Sequence, residues 1–324
     1  MLGERLIDAN TGQRKADKRL APVSGESRPA LRHRMTGLVT ATVILVILFC
    51  RPLYDLARYS LTSELYSYIP LIPLISLYLI WQRRRSVFLD AEPVWQCAVV
   101  PLVGGLGIVA GYAWAAHSGW EPGTDDYLAL MTLSFLLFLL SACLLFVGKG
   151  SLSRVRFPVA FLILTIPFPT FLQDSIQWFL QHRSAEVARL LFRLSGTPIF
   201  HQDLILELPG FALRVAPECS GIHSTLVLFI TSLLAGYLFL RSAWKRALLT
   251  LTVVPLAILR NGLRIFIIGQ LCVHVSPDMI HSDIHRRGGP VFFVLSLVPL
   301  FLLLVWLRNS ESKSRGAAGA KHEI

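Results

Sequence analysis

Residues 221–240 read GIHSTLVLFITSLLAGYLFL, with Pro217-Glu218-Cys219-Ser220 before them and Arg241-Ser242-Ala243-Trp244-Lys245-Arg246 after them. The run carries no acidic or basic charge and has the roughly 20 residues that a helix needs to cross a hydrocarbon core. It is continuously apolar rather than alternating, which selects a helix over a barrel strand, and a helix satisfies its own backbone in lipid. Similar runs recur along the chain. Of 324 residues 54% are hydrophobic and only 16% charged, with a mean hydropathy of +0.58; soluble domains do not have this balance. Eight spans are expected at about 37–57, 66–82, 94–116, 127–147, 155–172, 221–240, 245–272 and 289–307. The fold class is therefore an all-α polytopic membrane protein of about eight transmembrane helices.

The net charge of +11 is distributed in a way that argues for a membrane rather than nucleic acid. Arg83-Arg84-Arg85, then Lys149, Arg154 and Arg156, then Arg241, Lys245 and Arg246, then Arg308, Lys313 and Arg315 each follow an even-numbered span. Basic residues in short loops mark the cytoplasmic side. Both termini are thus expected in the cytoplasm, and the loops around Glu64, around Asp125 and over 173–220 outside. Residues 1–36 read as a basic, disordered cytosolic tail, 37–307 as one transmembrane domain and 308–324 as a second basic tail. The first apolar run is too long for a signal peptide.

Of the five cysteines, Cys97, Cys143 and Cys272 lie within apolar runs and read as small hydrophobes. Cys50 lies in the first span. The scattered spacing gives no disulfide framework. Only Cys219 has polar neighbours and a glycine two residues on.

The informative half begins after residue 157. Pro158, Pro167 and Pro169 should bend or end the fifth span. Residues 173–194 alternate apolar and charged positions as an amphipathic helix does; it reads equally as lying in the outer interface or as packing on the bundle. Leu204–Leu208 and Phe211–Val215, separated by Pro209-Gly210, make a short hairpin leading into Pro217. Such an element fixes where the thiol points, or holds an extended peptide by strand addition.

Cys219 would open the sixth span, where unpaired amides and the helix dipole lower a thiol's pKa and receive an oxyanion. Ser220 and Gly221 add little bulk there. Arg260 and Arg264 share a face of the seventh span, with Asn261 between them. Intramembrane arginine is costly, about 2.5–3.5 kcal/mol at mid-helix. Arg264 is the better candidate to stabilise an oxyanion, while Arg260 reads equally as functional or as snorkelling to headgroups. His285, just before the last span, is a proton shuttle by type. His223, four residues after Cys219, competes for that role as a local dyad partner. His281 and His285 have H-x-x-x-H spacing around Asp283 but lack the glutamate of H-E-x-x-H and a third ligand. Neither a metal nor a cofactor is expected.

This arrangement resembles the exosortase/archaeosortase family of membrane transpeptidases. The shared features are the eight-span plan, Cys219-Ser220-Gly221 opening a span, Asn261-x-x-Arg264 in the next, and His285 four residues before Gly289. The resemblance implies a cysteine transpeptidase acting on exported proteins that end in a short motif (such as Pro-Glu-Pro), an apolar span and a basic tail. It implies Cys219 as nucleophile, Arg264 at the oxyanion and His285 as acid and base, and gives no support to a dyad at His223. The implied acceptor is a lipid or a surface polysaccharide component, at the outer face of the cell (inner) membrane, with no nucleic-acid partner. Two other classes remain to be set against it. A transporter would place ionisable residues near mid-bilayer in paired broken helices, and a non-catalytic polysaccharide assembly factor would dock through the amphipathic segment.

Overall fold

The computed structural model describes residues 27–83, 95–120, 122–209, 211–216, 220–275 and 289–320. Helix α1 (Ser27–Leu48) turns by 72° into α2 (Cys50–Thr62). Then come α3 (Leu71–Gln82), α4 (Trp95–His117), α5 (Thr124–Phe146), α6 (Gly148–Arg154) and α7 (Arg156–Phe161), the last running into a 3-10 turn at Leu162–Thr165. Helix α8 (Thr170–Leu194) is followed by strands β1 (Phe200–Gln202), β2 (Ile205–Leu208) and β3 (Phe211–Arg214). Helices α9 (Ile222–Phe239), α10 (Ala243–Leu251), α11 (Val253–His274) and α12 (Gly289–Ala320) complete the chain order. The class is all-α and polytopic, with one small sheet.

Among the described residues five segments are long and apolar enough to cross a membrane, or seven if each sharply bent pair is one span. The expectation was eight. The shortfall is at 66–82, where residues 64–70 form turns and the helix begins only at Leu71. Pro70 supplies no N–H there, so a helical ladder does not run back through the turn. The expected end of the fifth span is present: the helical turns stop at Thr165, with Ile166 extended and Pro169 at φ −55°, ψ 147° before α8 begins at Thr170. The helical boundaries also reach past the expected tails, to Ser27 at one end and Ala320 at the other. Many large apolar side chains face outward, Trp114 at 73% and Phe301 at 63% exposure among them. In a soluble monomer such a surface would be anomalous; around helices it is what lipid covers.

The chain divides into two units. The first comprises 1–56, 72–121 and 130–166. Its helices approach at small residues: a Cβ on Gly105 of α4 would lie 2.9 Å from the Phe138 ring of α5, and Phe138 in turn stacks obliquely on Phe49. Close approach at glycine is how helices gain packing where no hydrophobic drive operates between them. Ser76 and Ser141 donate their hydroxyls to the carbonyls of Pro158 and Ala98. At the basic end Arg83 donates to the Arg154 carbonyl at 3.1 Å, joining two of the basic clusters.

The second unit comprises 57–71, 122–129 and 167–324. Leu228, Leu240, Leu249, Val253, Leu300, Leu304 and Leu307 form one core between α9, α10, α11 and α12. Helix α8 packs lengthwise on α11, with Val187 over Gly262 and Phe192 over Gly269. This is the packed-helix reading of the amphipathic segment; Arg183, Glu186 and Arg193 stay exposed. The hairpin forms as expected, with Leu206 opposite Leu213 and Leu208 opposite Phe211, and β1 adds a third strand that the residue pattern did not announce. Strand alternation buries Leu206, Leu208 and Leu213, with Val215 beyond them, against Ala188, Phe192 and Ile265. The sheet thus sits on the α8–α11 pair and delivers the chain to Pro217.

Candidate active site

Two anchors bracket the Cys219 motif. Upstream, the buried Gln181 of α8 donates its amide to the Val215 carbonyl, tying the end of the sheet to the helix. Downstream, Gly221 sits at φ +69° as the residue before α9, a left-handed conformation that favours glycine. A Cβ there would also lie 2.9 Å from Arg260 Nη2 and 3.2 Å from Asn261 Oδ1. The Ser220-Gly221 end of one motif therefore rests directly on the Arg260-Asn261 start of the other. The Gly221 carbonyl is the pin: it accepts the Thr225 N–H (3.0 Å), the Ser224 and Thr225 hydroxyls (3.0 and 2.8 Å) and Arg260 Nη2 (3.3 Å).

Gly221 itself offers no side chain to cap α9, and the first amides of a helix carry a partial positive charge at that end. Helix α9 begins at Ile222, directly after the left-handed Gly221. The face that Cys219 and His223 were expected to share has its Cys219 end outside the described residues. His223 is exposed and its Nε2 lies 3.4 Å from Ser67 Oγ, a long contact.

Arg260 does not snorkel. It is 6% exposed, inside the protein, and Asn261 beside it is 2% exposed. Arg264 lies one turn further along α11 and is half-buried. Cys219 and His285 lie outside the described residues, as do His281 and Asp283, so the structure brings together Ser220, Gly221, Arg260 and Asn261. No group of three or more metal-ligating side chains occurs among the described residues.

A transmembrane exosortase family model matches residues 60–302, well over half of the chain. The chain belongs to the transmembrane exosortase family. No curated protein and no solved structure matches it. The family match spans the motifs at 219–221, 261–264 and 285 and the helices that carry them.

Residue spacing did not reveal three tertiary contacts made to α8 in this exosortase family member. Gln181 lies in the amphipathic helix among apolar positions, and its buried amide on the strand is a tertiary contact. Tyr66 donates to Gln173 Oε1 at 2.8 Å; burial, with the charge of Asp125 adding to it, holds its phenol above the ordinary range. Asp126 accepts the Thr170 N–H at 2.8 Å and its hydroxyl at 3.0 Å, capping α8 from another helix. The signal for Asp126 was there: Pro169-Thr170 opens a helix without an acidic residue in its first turn.

Opposite the motif, α9 ends at the basic cluster. Glu311 of α12 accepts the Arg241 and Ser242 N–H groups at 3.1 and 2.9 Å, and Lys245 reaches the Leu307 carbonyl and Ser310. The 18 residues of α9 separate these two ends by about 27 Å, close to a hydrocarbon core.

Proposed function

We propose that this exosortase family member is a membrane cysteine peptidase and transpeptidase. It cleaves C-terminal sorting signals of exported proteins and passes the new C-terminus to an envelope acceptor. The observation that carries the reading is the packing of Gly221 on Arg260 and Asn261, with the start of α9 beside it. A nucleophile one residue before Ser220 meets helix amides and the Asn261-x-x-Arg264 face together. The separation of motif and basic cluster by one membrane thickness supports a site at the extracytoplasmic face of the inner membrane, with both termini in the cytoplasm.

In this mechanism the Cys219 thiolate attacks the carbonyl carbon of the scissile peptide bond. Arg264 and the first amides of α9 balance the charge that gathers on the carbonyl oxygen. The C–N bond then breaks as protonated His285 gives its proton to the leaving amine, and a thioester to Cys219 remains. An amine or hydroxyl of the acceptor attacks that thioester, neutral His285 takes its proton, and the thiolate departs. A substrate held by its own membrane span meets the thiol at fixed depth and high effective concentration.

The test is a co-expressed exported reporter ending in a sorting motif, an apolar span and a basic tail. Cys219→Ala and Cys219→Ser are each expected to leave only the unprocessed precursor while still inserting into the membrane. Normal processing by the alanine variant ends the proposal.

A further inference from the structure

At the basic end of α9, cations gather around one turn. Phe239 ends the helix, and Arg308 of α12 lies over it, its guanidinium carbon 5.9 Å from the ring centroid. Leu240 follows, and its carbonyl accepts Arg246 Nε of α10 at 2.8 Å. Arg241 is next, and the buried Lys245 reaches across to the Leu307 carbonyl and Ser310 of α12. Residues 239–251 and 300–312 thus hold four cations, Arg241, Lys245, Arg246 and Arg308, against one acid, Glu311, a balance of 4 − 1 = +3. Each Glu311 oxygen is already engaged by a backbone N–H, of Arg241 or of Ser242. Arg241 and Arg308 are exposed, and no described carboxylate forms an ion pair with either. The surface around them is apolar: Leu238, Phe239 and Leu251 face outward, as do Trp244 and Trp306 at 61% and 63% exposure. Exposed tryptophans at the end of a span settle at the level of lipid headgroups.

We propose that the α9–α10 turn and α12 form a binding site for one anionic phospholipid, its phosphodiester held by Arg241 and Arg308. Arginine donates in a planar fork that suits two phosphate oxygens, and exposed arginines at headgroup level are placed to do so. Arg246, committed through Nε, and the buried Lys245 add field at the same turn. An anionic headgroup is favoured over a zwitterionic one, because choline brings a second cation to a site already at +3. The apolar rim selects a lipid over a soluble polyanion: acyl chains cover Leu238 and Trp244, which a soluble ligand leaves in water. The inference does not rest on the transpeptidase reading, yet it bears on it. Holding this end of α9 at headgroup level fixes the depth of Gly221 at the other end.

The experiment uses the full chain purified in detergent and titrated with dioleoyl phosphatidylglycerol or dioleoyl phosphatidylcholine. Native mass spectrometry reads the affinity of the first bound lipid, and thermal unfolding reads Tm. Phosphatidylglycerol is expected to bind at least about 10-fold tighter and to raise Tm further. Equal affinity for the two lipids overturns the proposal, and this arm needs no variant to fold. Arg241→Gln combined with Arg308→Gln is expected to weaken phosphatidylglycerol by about 10-fold or more. The lipid-free Tm should not change, since both side chains are exposed. An undiminished preference in that variant overturns the site. Lys149→Gln combined with Arg156→Gln removes the same charge from exposed positions of α6 and α7 and is expected to keep the preference. An equal loss there would mean diffuse attraction to anionic lipid and would overturn a site at this turn. Glycerophosphoglycerol, the headgroup without chains, is expected to leave Tm unchanged. A shift matching that of the whole lipid would reassign the cluster to a soluble phosphodiester and overturn the lipid.

Discussion

In α3 to α5 the buried polar side chains are Ser76, Thr132, Ser134 and Ser141; in α8 to α11 with the loop before α9 they include Gln181, Ser184, Ser220, Lys245, Arg260 and Asn261. Ser76, Ser134 and Ser141 each give a hydroxyl to a helix carbonyl, which costs little and says little about function. The later set buries two cations and two amides, and it leaves Arg260, Ser184 and Ser220 with unsatisfied atoms. Unsatisfied buried groups are rare in folded proteins and call for a reason. The glycines differ less sharply. Gly107 and Gly111 of α4 face open space while Gly105 of the same helix meets the Phe138 ring, and Gly221, Gly262 and Gly269 are all sites where an added Cβ strikes a neighbour. One region is a packed apolar scaffold with open faces, and the other is assembled around a polar centre.

The sharpest way to break that contrast is Arg264→Lys. A point charge does not replace a planar guanidinium that donates in a fixed fork, so reporter processing is expected to fall about 100–1,000-fold, the range for losing an oxyanion donor. His285→Ala should lose most activity as well, and His223→Ala much less. A severe loss at His223, equal to that at His285, would move the base to α9. Gly262→Ala comes next. Its Cβ would lie 2.5 Å from Val187 Cγ1 and 3.1 Å from the Ser184 carbonyl, so α8 must shift off α11 at a cost of about 2–3 kcal/mol. Unfolding in detergent should register it as a clear drop in Tm, and an unchanged Tm would mean that the two helices are not in contact there.

Gly221→Ala should cost less in stability, about 1–2 kcal/mol for a left-handed alanine. The atoms it strikes are the ends of the Arg260 and Asn261 side chains, which can swing away. Activity should fall further than stability does, because the swing displaces the motif's own neighbours. A variant that loses stability and activity in proportion would reduce Gly221 to a hinge.

How much of this was open to reading depends on the range of the interaction. Trp95–His117, Thr124–Phe146 and Ile222–Phe239 lie close to the expected spans because an apolar run long enough for lipid carries its own signal. The proline break after Thr165 and the Pro209-Gly210 hairpin are equally local. Strand β1 was not legible: three residues beside Asp203, itself at φ +55°, make no pattern until β2 pairs with them. The second span's helix starts at Leu71 rather than 66, because hydropathy averages over Pro70 and the turns before it. At the site, spacing placed Arg260 and Arg264 on one face but could not say which was buried. That depends on Gly221 having no side chain at the point of contact. The helix start at Ile222 turns on the same residue, since Gly221 before it takes a left-handed conformation that residue spacing does not announce.

The smallest effect is the most direct test of the scaffold reading. Gly107 lies on an exposed face of α4 with nothing within 4 Å of where its Cβ would be. Two residues earlier, Gly105 has the Phe138 ring at 2.9 Å. Gly107→Ala should therefore stabilise the helix by about 0.5–1 kcal/mol through lost backbone freedom in the unfolded chain, and leave processing unchanged. Gly105→Ala should lower Tm instead, because Phe138 is buried and has Phe49 behind it. The pair shares one helix, one residue type and one substitution, so propensity cancels and only the surroundings differ. If both glycines respond alike, α4 is not packed on α5 at Phe138, and the close-approach account of this region fails. If Gly107→Ala slows processing while raising Tm, α4 contributes mobility or a surface to the reaction, and the division between scaffold and polar centre must be redrawn to include it.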